Sequence, residues 1–235
     1  MSCTKVPLDV LYLDNHLLVV QKPAGLLAQA DRTGDPDLLS VAKDFLKEKF
    51  KKPGNVYLGL VHRLDRPVSG IMVLARTSKA ASRLSEQFRS NTVRKKYVAI
   101  VEGVCAGRGV CKNYLIKNDQ RVCIAEAGHP NARYAELSWQ SIAQKNNLSL
   151  LDITLKTGRP HQIRVQIAHM GYPLLGDMRY NAQREFDGKN LALHCRLLGL
   201  EHPVKREYME WKAAPPVTWT GYFDNEIKKG FTRTA

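Results

Sequence analysis

Long apolar runs are missing from this chain of 235 residues. No stretch approaches the about 20 consecutive apolar residues of a bilayer-crossing helix. The opening Met1-Ser2-Cys3-Thr4-Lys5-Val6-Pro7 carries no secretory hydrophobic segment. Cysteine is sparse: the five, Cys3, Cys105, Cys111, Cys123 and Cys195, are odd in number and contain no Cys-x-x-Cys pair. Neither a disulfide framework nor a zinc knuckle is indicated, no metal site is expected, and buried or incidental thiols of a reducing cytosol are the natural reading. Acidic residues are the third shortage. Asp and Glu number 22 against 36 Lys and Arg, leaving a net charge of +14. That excess favours a polyanionic partner, nucleic acid ahead of an acidic membrane surface. Repeats, low-complexity tracts and a clear linker are also lacking, so one compact catalytic unit over 1–235, with a core of about 9–215, is expected.

What is present patterns as strands with a few helices. Residues 10–22 read as a hairpin turning at Asp14-Asn15. Residues 37–50 read as a helix with Leu38, Leu39, Ala42, Phe45 and Leu46 on one face, closed by Lys51-Lys52-Pro53-Gly54. A second helix runs from a Ser78 cap to about Ser90. Residues 93–103, 110–117, 121–125, 148–155, 191–200 and 208–213 are strand candidates. Residues 104–110 read as a loop, and the tail from Thr220 has few packing signals. Pro160 is expected at the first position of a short helix in which Ile163, Ile167 and Met170 face the core. Arg164 is rotated away from them, toward a cleft. Strands outnumber helices without alternating regularly with them, which gives α+β with a mixed, largely antiparallel sheet.

Three segments carry the chemistry. In His62-Arg63-Leu64-Asp65-Arg66-Pro67-Val68-Ser69-Gly70 one carboxylate stands between two arginines, at a turn between apolar runs. Flanking cations favour its ionised form and an anionic ligand. Arg94-Lys95-Lys96-Tyr97 is a basic entry into an apolar strand. Gly158-Arg159-Pro160-His161-Gln162-Ile163-Arg164 opens the short helix. No histidine is given a catalytic role, because His62 and His161 beside turns read as hydrogen-bonding fixtures. His194 and Cys195, adjacent in a strand, point to opposite faces and make no catalytic pair.

Together these segments resemble the RluA family of RNA pseudouridine synthases, in the family's order. The His-Arg-Leu-Asp signature is matched from His62 to Gly70, with Val68 where threonine is frequent; Lys95-Lys96-Tyr97 and Gly158 to Arg164 match two further motifs. Asn15 to Gly25, Gly176-Asp177-Met178-Arg179-Tyr180 and Leu191 to His194 extend the likeness over roughly residues 9–215. The resemblance implies the pseudouridine synthase fold, a bent sheet flanked by helices and loops around a central RNA-binding cleft. It implies no cofactor, Asp65 as the catalytic aspartate, Tyr97 packed against the target base, Arg164 paired with Asp65, and Ile163 walling the uracil pocket. Arg63, Arg66, Arg94, Lys95, Lys96 and Arg159, which flank the motifs, are phosphate-contact candidates, and His62 joins the substrate-binding set.

The expected activity is an isomerase that converts uridine to pseudouridine in a stem-loop of ribosomal or transfer RNA, as a cytoplasmic monomer without a membrane partner. The N-terminal S4-type domain of many family members is expected to be missing. Nucleophilic attack by Asp65 and removal of the 2′ proton both fit a single ionised acid. Two other readings compete: an RNA-binding module without catalysis, and a glycosidase or N-glycosylase. The latter usually needs two carboxylates, and Asp177 is the best candidate for the second.

Overall fold

The computed structural model describes residues 7–118 and 121–230. Its strands are β1 (Asp9–Leu13), β2 (Leu17–Lys22), β3 (Gly59–Leu60), β4 (Ser69–Ala75), β5 (Arg94–Glu102), β6 (Arg108–Asn118), β7 (Arg121–Ala125), β8 (Arg133–Lys145), β9 (Leu148–Leu155), β10 (Leu193–Glu201) and β11 (Tyr208–Lys212). The helices are α1 (Leu38–Lys49), α2 (Ser78–Arg89), α3 (Gln162–His169) and α4 (Asp224–Gly230). All the strands join one sheet in the order β1-β2-β4-β10-β5-β9-β8-β6-β7, with β3 on β4 and β11 on β10. Among the described residues only β4 and β10 run parallel. The architecture is the expected α+β with a mostly antiparallel sheet.

The central strands are apolar on both faces because both faces are covered. In β5, Tyr97, Ala99 and Val101 pack with Leu151, Ile153, Ile163 and Ile167 on the side of α3. Val98 and Ile100 face the other way, onto Leu150, Trp219 and Phe223. Residues 221–227 are therefore not loosely held as the composition suggested, Phe223 being buried with Tyr222 and Ile227 packed beside it, while 231–235 lie outside the described residues. Three aromatics within five residues carried that signal, masked by the polar residues around them.

Local reading needed three further corrections. Thr77, not Ser78, caps α2, its hydroxyl accepting from the Ala80 N–H at 3.2 Å. Pro160 lies outside α3, because His161 intervenes at φ +50° and the first helical residue is Gln162. The whole of β8 went unread. Its inward residues Ala135, Leu137 and Trp139 alternate properly, but a bulge between Ser141 and Ala143 breaks the period and the outward residues are polar.

Gly70 fixes the join between the Asp65 loop and the sheet. Its φ is +128°, and a Cβ there would stand 2.4 Å from the Cys195 nitrogen. Only glycine lets β4 and β10 approach at that point, where Gly70 pairs with Cys195.

Candidate active site

The Asp65 loop, the first residues of β5 and the segment entering α3 converge on a cleft of about 300 Å³. Asp65, His62 and Arg63 line it from the loop, Lys95 and Tyr97 from β5, and Arg159, His161, Ile163 and Arg164 from the third segment. Segments far apart in sequence thus meet because β10 sits between β4 and β5, and because β9, which leads into α3, pairs with β5. Among the described residues lining the cleft, Asp65 is the one carboxylate.

Asp65 keeps a third of its side chain open to the cleft. Arg164 Nη1 donates to Asp65 Oδ2 at 3.2 Å. The two-bond fork of Arg164 is not on Asp65, which receives this single bond. It grips Asp177, Nε and Nη2 each donating to one carboxylate oxygen at 2.7 Å. Burial works against the Arg164 charge, but Asp177 and then Asp65 outweigh it and raise its pKa. Asp177, almost fully buried, therefore anchors the guanidinium, which presents its remaining nitrogen to the cleft. Gly176, at φ +86°, supports this anchor: a Cβ would stand 2.6 Å from the Asn190 carbonyl oxygen.

His161 is the second neighbour, its Nε2 at 3.6 Å from Asp65 Oδ2. Burial lowers its pKa despite the opposing pull of Asp65, so the neutral ring predominates at neutral pH. The Tyr180 hydroxyl accepts from the Val122 N–H at 3.2 Å and lies 2.8 Å from His161 Nδ1. The tautomer of the ring decides which of the two donates in that contact. The Arg164 guanidinium lies over the Tyr180 ring at 5.1 Å. His161 is the hydrogen-bonding fixture expected from the sequence, and Tyr180, which had no role there, is its partner.

Tyr97 is buried on the cleft floor, and burial raises its pKa well above the ordinary value, so it stays a neutral phenol. Ile163 forms part of the wall. Lys95 is also buried at the cleft, and the loss of water lowers its pKa. His62 serves the scaffold. Its Nε2 accepts the Val73 N–H at 3.0 Å, next to the point where β3 stops pairing with β4, and its ring stacks on Phe88 at 4.5 Å. Burial, then Lys95, pushes its pKa down to about 3.

Arg63 is exposed at the lip, and Arg159 donates Nε to the Tyr134 carbonyl at 2.9 Å. Arg66 is not brought to the cleft lining. Its guanidinium pairs with Asp35 at 2.7 Å and donates to the Gly25 carbonyl at 3.0 Å. Lys22, which sequence reading passed over, is fully buried behind this loop. Its ammonium donates to the carbonyls of Leu26 at 2.7 Å, Pro23 at 2.9 Å and Arg66 at 3.2 Å. Burial pulls its pKa down to about 7, against the attraction of Asp65.

Comparison with other proteins agrees with this geometry. The RNA pseudouridylate synthase family profile matches residues 16–169. Ribosomal large subunit pseudouridine synthase D of Yersinia pestis is 33% identical over 230 residues, covering 90% of this chain and 68% of that protein. The RNA pseudouridine synthase YlyB of Bacillus subtilis is 30% identical over 226 residues, covering 95% and 74%. Among solved structures, human RNA Pseudouridylate Synthase Domain Containing 4 shares the fold with a TM-score of 0.76 at 24% identity, covering 94% of this chain and 93% of that one. Profile, relatives and fold agree: the chain belongs to the RluA family of RNA pseudouridine synthases, isomerases that act on RNA.

Proposed function

We propose that Asp65 is the catalytic aspartate of uridine isomerisation, and that the target lies in a short stem-loop of ribosomal RNA. The observation that carries this reading is the cleft's one open carboxylate, 3.2 Å from a guanidinium that a second, buried carboxylate holds in place. Relatives named for the ribosomal large subunit favour ribosomal over transfer RNA. A net charge of +14 supports a polyanion as partner. The same reading extends to a monomer working in the cytoplasm.

The chemistry follows from the groups present. Uridine and pseudouridine are isomers, so no electron acceptor is consumed. The N1–C1′ bond breaks, the uracil turns, C5 bonds to C1′, the C5 proton leaves to water and N1 takes up a proton in its place. Asp65 supplies the negative charge, by attack on C1′ or by taking the 2′ proton. Arg164 holds that carboxylate in place in a site that a bound base closes to water. The Tyr97 ring and Ile163 give the freed uracil an apolar wall while it turns. Flipping the nucleotide out of the RNA costs a few kcal/mol, offset by these contacts and by phosphate contacts from Arg63, Lys95 and Arg159. Arg66 reaches a phosphate only by leaving Asp35.

A large-subunit ribosomal RNA transcript labelled with tritium at uracil C5 tests the proposal. The chain should release tritium to water and leave pseudouridine in the product digest. Free uracil in the digest would replace the isomerase reading by a glycosylase. That outcome is disfavoured because Asp177, the best second acid, is spent on Arg164.

A further inference from the structure

Building on RNA as the substrate, the geometry points to a second contact outside the cleft: a base-stacking shelf made by Tyr114 and Tyr134. The two residues oppose each other across β6 and β8. Their rings meet edge to face with centroids 5.7 Å apart and planes at 66°. Each residue is 37% exposed, so part of each ring meets solvent. They stand on the sheet face opposite the inward residues Ala135 and Leu137 of β8, and so opposite α3.

A cross-strand tyrosine pair stabilises a sheet by itself. The surroundings ask for more than that. The Tyr134 hydroxyl donates to Glu136 Oε2 at 2.5 Å, and Lys156 holds Glu136 Oε1 at 3.2 Å, so the ring is fixed in orientation. Lys112 shares the face of Tyr114 and stands opposite Glu136 in the ladder. Arg159, whose Nε binds the Tyr134 carbonyl, also lines the cleft. Three cations thus stand around one acid that is already engaged, on the sheet face away from α3.

Fixed ring faces among cations are what a single-stranded nucleic acid requires: the rings take bases of any sequence and the cations take phosphates. The occupant is an unpaired stretch of the substrate RNA outside the target nucleotide.

The test uses two probes: a fluorescein-labelled single-stranded oligouridylate for affinity, and the C5-tritiated ribosomal transcript for KM and kcat. Replacing both rings (Tyr114→Ala with Tyr134→Ala) should weaken oligouridylate binding about tenfold or more. KM should rise in parallel while kcat stays within about twofold, because the shelf does not touch the reacting base. Tyr114→Trp keeps a ring and should keep wild-type affinity. Should the alanine pair fail to fold, Tyr114→Leu with Tyr134→Leu retains apolar bulk without a stacking face and should show the same loss. Unchanged affinity and KM in a folded ring-free variant overturn the shelf and leave the pair as a cross-strand brace or a protein contact. A wild type that releases no tritium defeats the isomerase reading alone, and the affinity arm still decides the shelf.

Discussion

Two arginine–aspartate pairs sit on opposite faces of the sheet and do different work with the same chemistry. On the cleft face Arg164 grips Asp177 with two bonds and turns its third nitrogen to Asp65. On the far face Arg196 grips Asp152, Nε and Nη2 donating at 2.8–3.0 Å, with Lys96 at 3.9 Å from the same carboxylate. The difference is burial and surplus. The Arg164 and Asp177 side chains are 6% and 1% exposed, against 13% and 24% for Arg196 and Asp152. A buried arginine facing two acids leaves one carboxylate for chemistry. The rear pair has two cations on one acid, and that carboxylate is already taken.

The comparison is broken most severely by Arg164→Met. Asp177 would be left buried without its counter-charge, a loss of about 3–5 kcal/mol in denaturant unfolding. Tritium release should fall by about 10²-fold or more in whatever protein remains folded, because Asp65 loses its anchor. Stability at wild-type level would show that the trio is not the buried ion cluster described above.

Acidification sharpens the contrast through His194, which neighbours Arg196 in β10. His194 is buried, close to Ser69 Oγ at 2.8 Å and the Ala213 carbonyl at 3.2 Å. Burial, with Arg196 as a smaller cause, lowers its pKa to about 4. The unfolded chain takes up that proton near pH 6.5 and the folded one only near 4. The stabilising contribution is thus present above 6.5 and lost as pH falls through about 4, on the order of 2–3 kcal/mol. Unfolding titrations at pH 7 and pH 4 should show the drop, and His194→Gln should reduce it.

Asp152→Asn is the mildest change. The pair is partly open to water, so unfolding should shift by about 1 kcal/mol or less, and tritium release should stay within about twofold. A large loss of activity would mean that the two faces are coupled through β5 and β10.

The sequence made the converging segments legible because each has a residue pattern that few other constraints would produce. Asp65, Tyr97, Ile163 and Arg164 all reach the cleft. It hid the partner of Arg164, because an acid at position 177 in a turn looks like any surface carboxylate until its burial is seen. Lys22 was hidden for the converse reason: a lysine ending a strand reads as solvated, and only tertiary contacts reveal the three carbonyls around it. Arg66 pairs with Asp35 outside the cleft lining, because flanking an acid in sequence does not fix direction. Among the strands, β8 was lost to its bulge.

Asp65→Asn, followed by tritium release and thermal melting in parallel, tests the central division of labour most directly. Asn replaces Asp with little change in volume, and Asp177 still holds Arg164, so the melting temperature should move by only about 2–3 °C. Release from the labelled transcript should fall by at least ~10³-fold. Release near the wild-type rate from the folded variant would contradict the assignment of Asp65.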